Sequence, residues 1–130
     1  MRVLIVEDTD YVAVSLATAI RRIDSTAQTQ VAPGFDEAIS ALDNGPWDLV
    51  IADVVLTPWH PGLRRNAAMV VVESARTGLE VARAALARQY PVLVTSSYRP
   101  TMLGLPPGAQ YISKDDLIPH LPEILKAHTN

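Results

Sequence analysis

Polar residues stand where the apolar runs of this chain stop. Glu7 and Asp8 follow Val3-Leu4-Ile5-Val6, Asp53 follows Leu49-Val50-Ile51-Ala52, and Thr95 follows Val92-Leu93-Val94. Lys114 comes two residues after a weaker run, Ala109 to Ile112. Three carboxylates in one place repel one another unless a cation stands between them, because an unpaired buried charge shifts its pKa and neutralises. Hard oxygen ligands without His or Cys suit Mg2+, which keeps several waters and bridges carboxylates to phosphoryl groups. Lys114 supplies a point charge and Thr95 a hydroxyl donor, both suited to phosphoryl oxygens. The set points to phosphoryl transfer onto a carboxylate, with metal and lysine neutralising the developing charge.

These residues act together only if the fold gathers them. The three strong apolar runs do not alternate, as strands read when helices cover both faces of a sheet. Thr29 to Ala32 and Ala109 to Ile112 mix in polar residues, as edge strands do. Helical spacing fills the gaps: Val12, Leu16, Ile20 and Ile23; Phe35, Ala38, Ile39 and Leu42; Leu79, Ala82 and Leu86; and a last stripe of Leu117, Leu121, Ile124 and Leu125. The alternation calls for an α/β fold, a doubly wound five-stranded parallel sheet. With the three apolar strands central, the order is the flavodoxin-like 2-1-3-4-5. Ligands of such a sheet bind outside the carboxyl ends of the strands where the order reverses, between the first and third. Glu7, Asp8 and Asp53 converge there, with Thr95 and Lys114 beside them.

Two segments break the repeat. A long connection after the third strand holds Trp59, His60, Arg64 and Arg65, and reads as an insertion over about 57–76. It is either a lid or docking element whose arginines approach the site, or a surface loop. From Tyr98 to Gly108, three prolines and two glycines predict a stunted fourth helix. Trp47 reads as a packing residue.

Composition narrows the function classes. The chain has 130 residues, 48% hydrophobic and 19% charged, as a globular chain does, and it is expected to form a single domain over 1–130. No cysteine is present, which removes disulfides, thiolate metal sites and a Cys nucleophile. A net charge of −3 argues against a nucleic-acid partner, since phosphate binding needs a basic face. No apolar stretch reaches the roughly 18 residues of a membrane span, and the N-terminal run is too short for a signal peptide. The expected location is the cytoplasm, without a membrane partner.

In these motifs the sequence resembles the receiver domain of two-component response regulators. The matching pieces are Glu7-Asp8 after the first run, Asp53 after the third, Thr95-Ser96, Ser113-Lys114, Tyr111 three residues before the lysine, and Gly78-Leu79-Glu80-Val81. Each is weak alone; in this order at strand ends, across nearly the whole chain, they are specific. The resemblance implies that Asp53 accepts the phosphoryl group. Asp8 and Asp53 would bind Mg2+ directly with the Val55 carbonyl, and Glu7 through water. Lys114 would pair with the phosphoryl group, Thr95 would move to hydrogen-bond it, and Tyr111 would turn inward. It implies a histidine kinase or phosphotransfer protein as donor, an unidentified downstream protein as partner, and a monomer or weak homodimer. The chain would then be a signalling phosphoacceptor that catalyses only its own phosphorylation and dephosphorylation.

The sequence departs from that pattern in the insertion, in the Pro-rich fourth-helix region, and at Asp115, where a proline often follows the lysine. Two other functions compete. A pseudo-receiver would bind partners without phosphate, yet no acid and no lysine is missing. An aspartate-nucleophile hydrolase commonly carries a second Asp two residues on, where this chain has Val55, and no hydrolase motif is present.

Overall fold

The computed structural model describes residues 1–53, 78–96 and 104–129. The order begins β1 (Arg2–Val6), α1 (Asp10–Ile23), β2 (Gln28–Ala32), α2 (Phe35–Leu42) and β3 (Leu49–Asp53). A helix α3 follows over 78–87. The chain then forms β4 (Val92–Ser96), β5 (Gln110–Ser113), α4 (Lys114–Leu117) and α5 (Leu121–Ala127). The five strands pair in parallel in the order β2-β1-β3-β4-β5, as the apolar runs predict.

Strand alternation decides which helix covers which face. Successive side chains of a strand point to opposite sides. Leu4, Val6, Val50, Ala52, Val92 and Val94 therefore pack with Ala38, Ala41 and Leu42 of α2 and with Leu79, Val81, Ala82 and Ala85 of α3. Val3, Ile5, Leu49, Ile51 and Leu93 pack with Ala13, Leu16, Ala17 and Ile20 of α1, and with Leu117, Leu121 and Leu125. Central β3 and β4 are buried along their whole length, whereas β2 is largely exposed at its edge. Trp47 is a packing residue, as expected: its indole N–H donates to the Ala41 carbonyl at 2.8 Å, and the Arg2 guanidinium lies 4.4 Å from the ring centroid.

The helical stripes differ from expectation in two places. On α1, Ile23 is 43% exposed, while the small Ala13 and Ala17 complete the buried face with Leu16 and Ile20. The last stripe is not one helix, because residues 118–120 turn between α4 and α5. Pro119 carries no N–H to continue the helical ladder, although Ile118 before it keeps helical dihedrals of φ −62° and ψ −46°. Pro122 sits in the first turn of α5, where its missing donor costs nothing. The strand before Lys114 also runs further than read, to Ser113, so Lys114 follows β5 directly and opens α4.

Of the connection between β4 and β5, residues 104–109 form turns without helix, with Gly104 and Gly108 at positive φ of 62° and 93°. The remainder of the expected stunted helix and the 57–76 insertion lie outside the described residues. So do Val55, Trp59, His60, Arg64 and Arg65.

Candidate functional site

Register brings the polar strand ends level. Val6 pairs with Ala52, Asp53 with Thr95, and Ser96 with Ser113. The ladder continues one step beyond β1, where the Glu7 N–H donates to the Ala32 carbonyl at 3.1 Å. Counting by twos from Ile5, Ile51 and Leu93 places Glu7, Asp53 and Thr95 on the face covered by α1 and α5. The same alternation that builds the core thus aims these three polar groups to one side.

There Glu7, Asp8 and Asp53 each offer a carboxylate oxygen within 4.8 Å of the others. The Lys114 ammonium stands 2.8 Å from Asp53 Oδ2 and 3.4 Å from Glu7 Oε2. Asp53 is 3% exposed and Glu7 4%, whereas Lys114 keeps 28% of its side chain in contact with solvent. Asp8 is half-buried, and Thr9, the N-cap of α1, lies beside it with no side-chain cap bond.

The electrostatics follow from that burial. Desolvation pushes the Asp53 carboxyl up from 3.8 to about 7, with Glu7 adding to the rise and Lys114 opposing it. Asp8 is raised as well, by burial first and then by the Asp53 charge. Burial pulls on Lys114 in the opposite sense, but the adjacent Asp53 and Glu7 outweigh it and hold its pKa above the ordinary value. Ionised, the cluster carries three negative charges against one positive. Its excess of two, on hard oxygens only, matches a divalent cation such as Mg2+ in charge and donor chemistry.

Thr95 is 2% exposed, and its Oγ1 is buried with no hydrogen-bond partner among the described residues. A buried hydroxyl without a partner is costly in an interior and is a natural donor to an incoming oxygen. Tyr111 on β5 donates its hydroxyl to the Ser96 carbonyl at 3.3 Å, beside Thr95.

The fold therefore gathers Glu7, Asp53, Thr95 and Lys114 around one cleft and keeps Asp8 at its acidic end. That cleft, of about 190 Å3, is walled by Tyr11, Val12, Ser15 and Leu16 of α1 and by Leu117 and Ile118. The stripe through Val12 and Leu16 marks the wall in the sequence. Tyr11, Ser15 and Ile118 carry no such signal, because single exposed residues off the apolar stripe have no periodicity to reveal them.

No protein-family model and no curated protein matches this sequence. Solved structures do match along nearly the whole chain. The receiver domain of a hybrid histidine kinase is 26% identical and fully covered on both sides, with a TM-score of 0.65. A response regulator receiver domain from Methylobacillus flagellatus reaches a TM-score of 0.71 at 18% identity, over 99% of this chain and 98% of that one. A response regulator protein from Thermotoga maritima, solved in complex with Mg2+ and beryllium fluoride, gives 0.66 at 20% identity over 98% of each chain. The architecture is that of response regulator receiver domains.

Proposed function

We propose that the chain is a receiver whose Asp53 accepts a phosphoryl group from a phosphohistidine of a kinase or phosphotransfer protein. The observation that carries this reading is the Lys114 ammonium 2.8 Å from a buried Asp53, with Glu7 and Asp8 beside it. In the transfer, an Asp53 carboxylate oxygen forms the new bond to phosphorus while the phosphorus–nitrogen bond of the donor breaks. The imidazole leaves with the bonding electron pair. Asp8 and Asp53 would hold Mg2+, with the carbonyl of residue 55 and a water-mediated contact from Glu7 as the resemblance implies. The ion would neutralise charge on the phosphoryl oxygens. Lys114 supplies a second positive charge at the same place and is not consumed.

Output follows from the same atoms. A phosphoryl oxygen at Asp53 offers the Thr95 hydroxyl, which has no partner among the described residues, an acceptor, so Thr95 moves toward it and vacates space beside Tyr111. Tyr111 then exchanges its Ser96 bond for an inward position and alters the surface it leaves. Such a coupled pair is a two-state element that a local charge can bias. The partners are a phosphodonor protein and a downstream protein in the cytoplasm.

Incubation with acetyl phosphate and Mg2+, followed by borohydride reduction and peptide mapping, tests the reading. Conversion confined to Asp53 is expected. Conversion at another carboxylate, or none, would refute it and leave a binding module that reads the fold without phosphate.

A further inference from the structure

Glu7 adjoins Asp8, and composition alone groups it with the metal ligands. Its geometry ties it elsewhere. Oε1 accepts the Thr9 backbone N–H at 3.2 Å, at the entrance to α1. Oε2 faces the Lys114 ammonium at 3.4 Å. Both oxygens of this 4%-exposed carboxylate are thus engaged by the chain itself. We propose that Glu7 is a positioning residue for Lys114, with Asp8 and Asp53 the carboxylates that hold the metal directly. The inference rests on the reading of Asp53 as phosphoacceptor.

Three features support this role. Lys114 starts at the end of β5, the far edge of the sheet, and Glu7 at the end of β1, three strand positions away. At about 4.8 Å per strand that is roughly 14 Å, so the two side chains meet only when both extend over the ends of β3 and β4. A lysine stem is long and flexible and holds one extended conformation only when its head is anchored. Its closer anchor, Asp53 Oδ2, belongs to the group that reacts. When Asp53 becomes an acyl phosphate, charge moves from the carboxylate to the phosphoryl oxygens and that anchor changes. Glu7 does not react, and the Thr9 N–H fixes it. It therefore keeps the ammonium over the site before and after transfer.

A double-mutant cycle on the full chain tests this, using Glu7→Gln, Lys114→Met and the pair. Mg2+ affinity is read by calorimetry, and phosphate uptake from acetyl phosphate at saturating Mg2+ by intact mass. Glu7→Gln keeps shape and the Thr9 acceptor and removes the charge facing Lys114. Its Mg2+ Kd is expected to stay within threefold of wild type, while the maximal uptake rate falls at least tenfold. With Lys114→Met already present, adding Glu7→Gln is expected to change the rate less than twofold. Glu7→Asp retains the charge but withdraws it by one methylene, and is expected to lose rate in the same way.

The inference is overturned if Glu7→Gln weakens Mg2+ tenfold and saturating Mg2+ restores the full rate. It is overturned equally if the losses multiply in the double variant, or if Glu7→Asp keeps the wild-type rate. Wild type that takes up no phosphate would remove the phosphoacceptor reading and this inference together. Normal uptake with multiplying losses would remove the inference alone.

Discussion

The raised pKa of Asp53 makes stability depend on pH in a direction opposite to that of an ordinary paired carboxylate. In the unfolded chain the carboxyl ionises near 3.8, whereas the folded chain keeps its proton until about 7. Between those values the folded state binds more protons, so stability is full below the unfolded pKa and is lost as pH rises through about 7. For a single site, linkage over pH 5 to 8 gives a ceiling of roughly 2.5 kcal/mol. Water at the open Lys114 side reduces this to about 1–2 kcal/mol. The assay is urea unfolding of wild type and Asp53→Asn at both pH values, with a chelator and then with Mg2+. At pH 5 wild type is already somewhat the less stable of the two, because its unfolded Asp53 is ionised while its folded one keeps the proton. Between pH 5 and pH 8 without metal, the advantage of Asp53→Asn is expected to grow by about 1–2 kcal/mol. Mg2+ is expected to stabilise wild type and close that gap, since it binds the folded cluster and not the unfolded chain. A stability difference that stays flat across pH, or a wild type that gains on Asp53→Asn as pH rises, would refute the account of this buried charge.

Other consequences follow from single contacts. Lys114→Met removes the cation that pairs with Asp53 and Glu7 and is expected to tighten Mg2+ binding on the order of fivefold, as calorimetry would show. Thr95→Val replaces a buried hydroxyl, unpartnered among the described residues, with a methyl group. It is expected to raise stability by about 1 kcal/mol while abolishing the phosphorylation-dependent change in Tyr111 fluorescence or chemical shift. A Cβ at Gly45 would press on the Tyr90 hydroxyl and stand 2.7 Å from its Cζ. Gly45→Ala should therefore cost about 1–3 kcal/mol in urea unfolding, with part recovered by adding Tyr90→Phe. Leu121→Ala empties a fully buried position and should cost about 2–5 kcal/mol, whereas Ile23→Ala, at a half-open helix end, should cost less than about 1 kcal/mol.

The central sheet was legible because its strands are buried on both faces. Val3 to Val6, Leu49 to Ala52 and Val92 to Val94 are unbroken apolar runs, and their order forces β1 and β3 together. The edge strands were legible only as weak runs, since exposure at Gln28 and Gln30 removes the apolar signal. The ends of elements were harder. Pro119 divides what Leu117, Leu121, Ile124 and Leu125 make to look like one stripe, because periodicity counts side chains and takes no account of a missing backbone donor. At the site, the convergence of Glu7, Asp53, Thr95 and Lys114 follows from strand ends and register parity. Burial does not: the sequence gives no sign that Glu7 is 4% exposed, and only the arrival of Lys114 from the far edge of the sheet shows what it holds. The exposed Ile23 and buried Ala17 have a related cause, since small residues complete a helix face without adding to its apolar stripe.

The phosphoacceptor reading is tested most directly by intact mass after incubation with acetyl phosphate, on wild type and Asp53→Asn, each with Mg2+ and with chelator. A gain of one phosphate in wild type with Mg2+, absent from the other three samples, is the expected result. A gain that survives Asp53→Asn or the chelator would contradict it, as would no gain in a wild type shown to bind Mg2+.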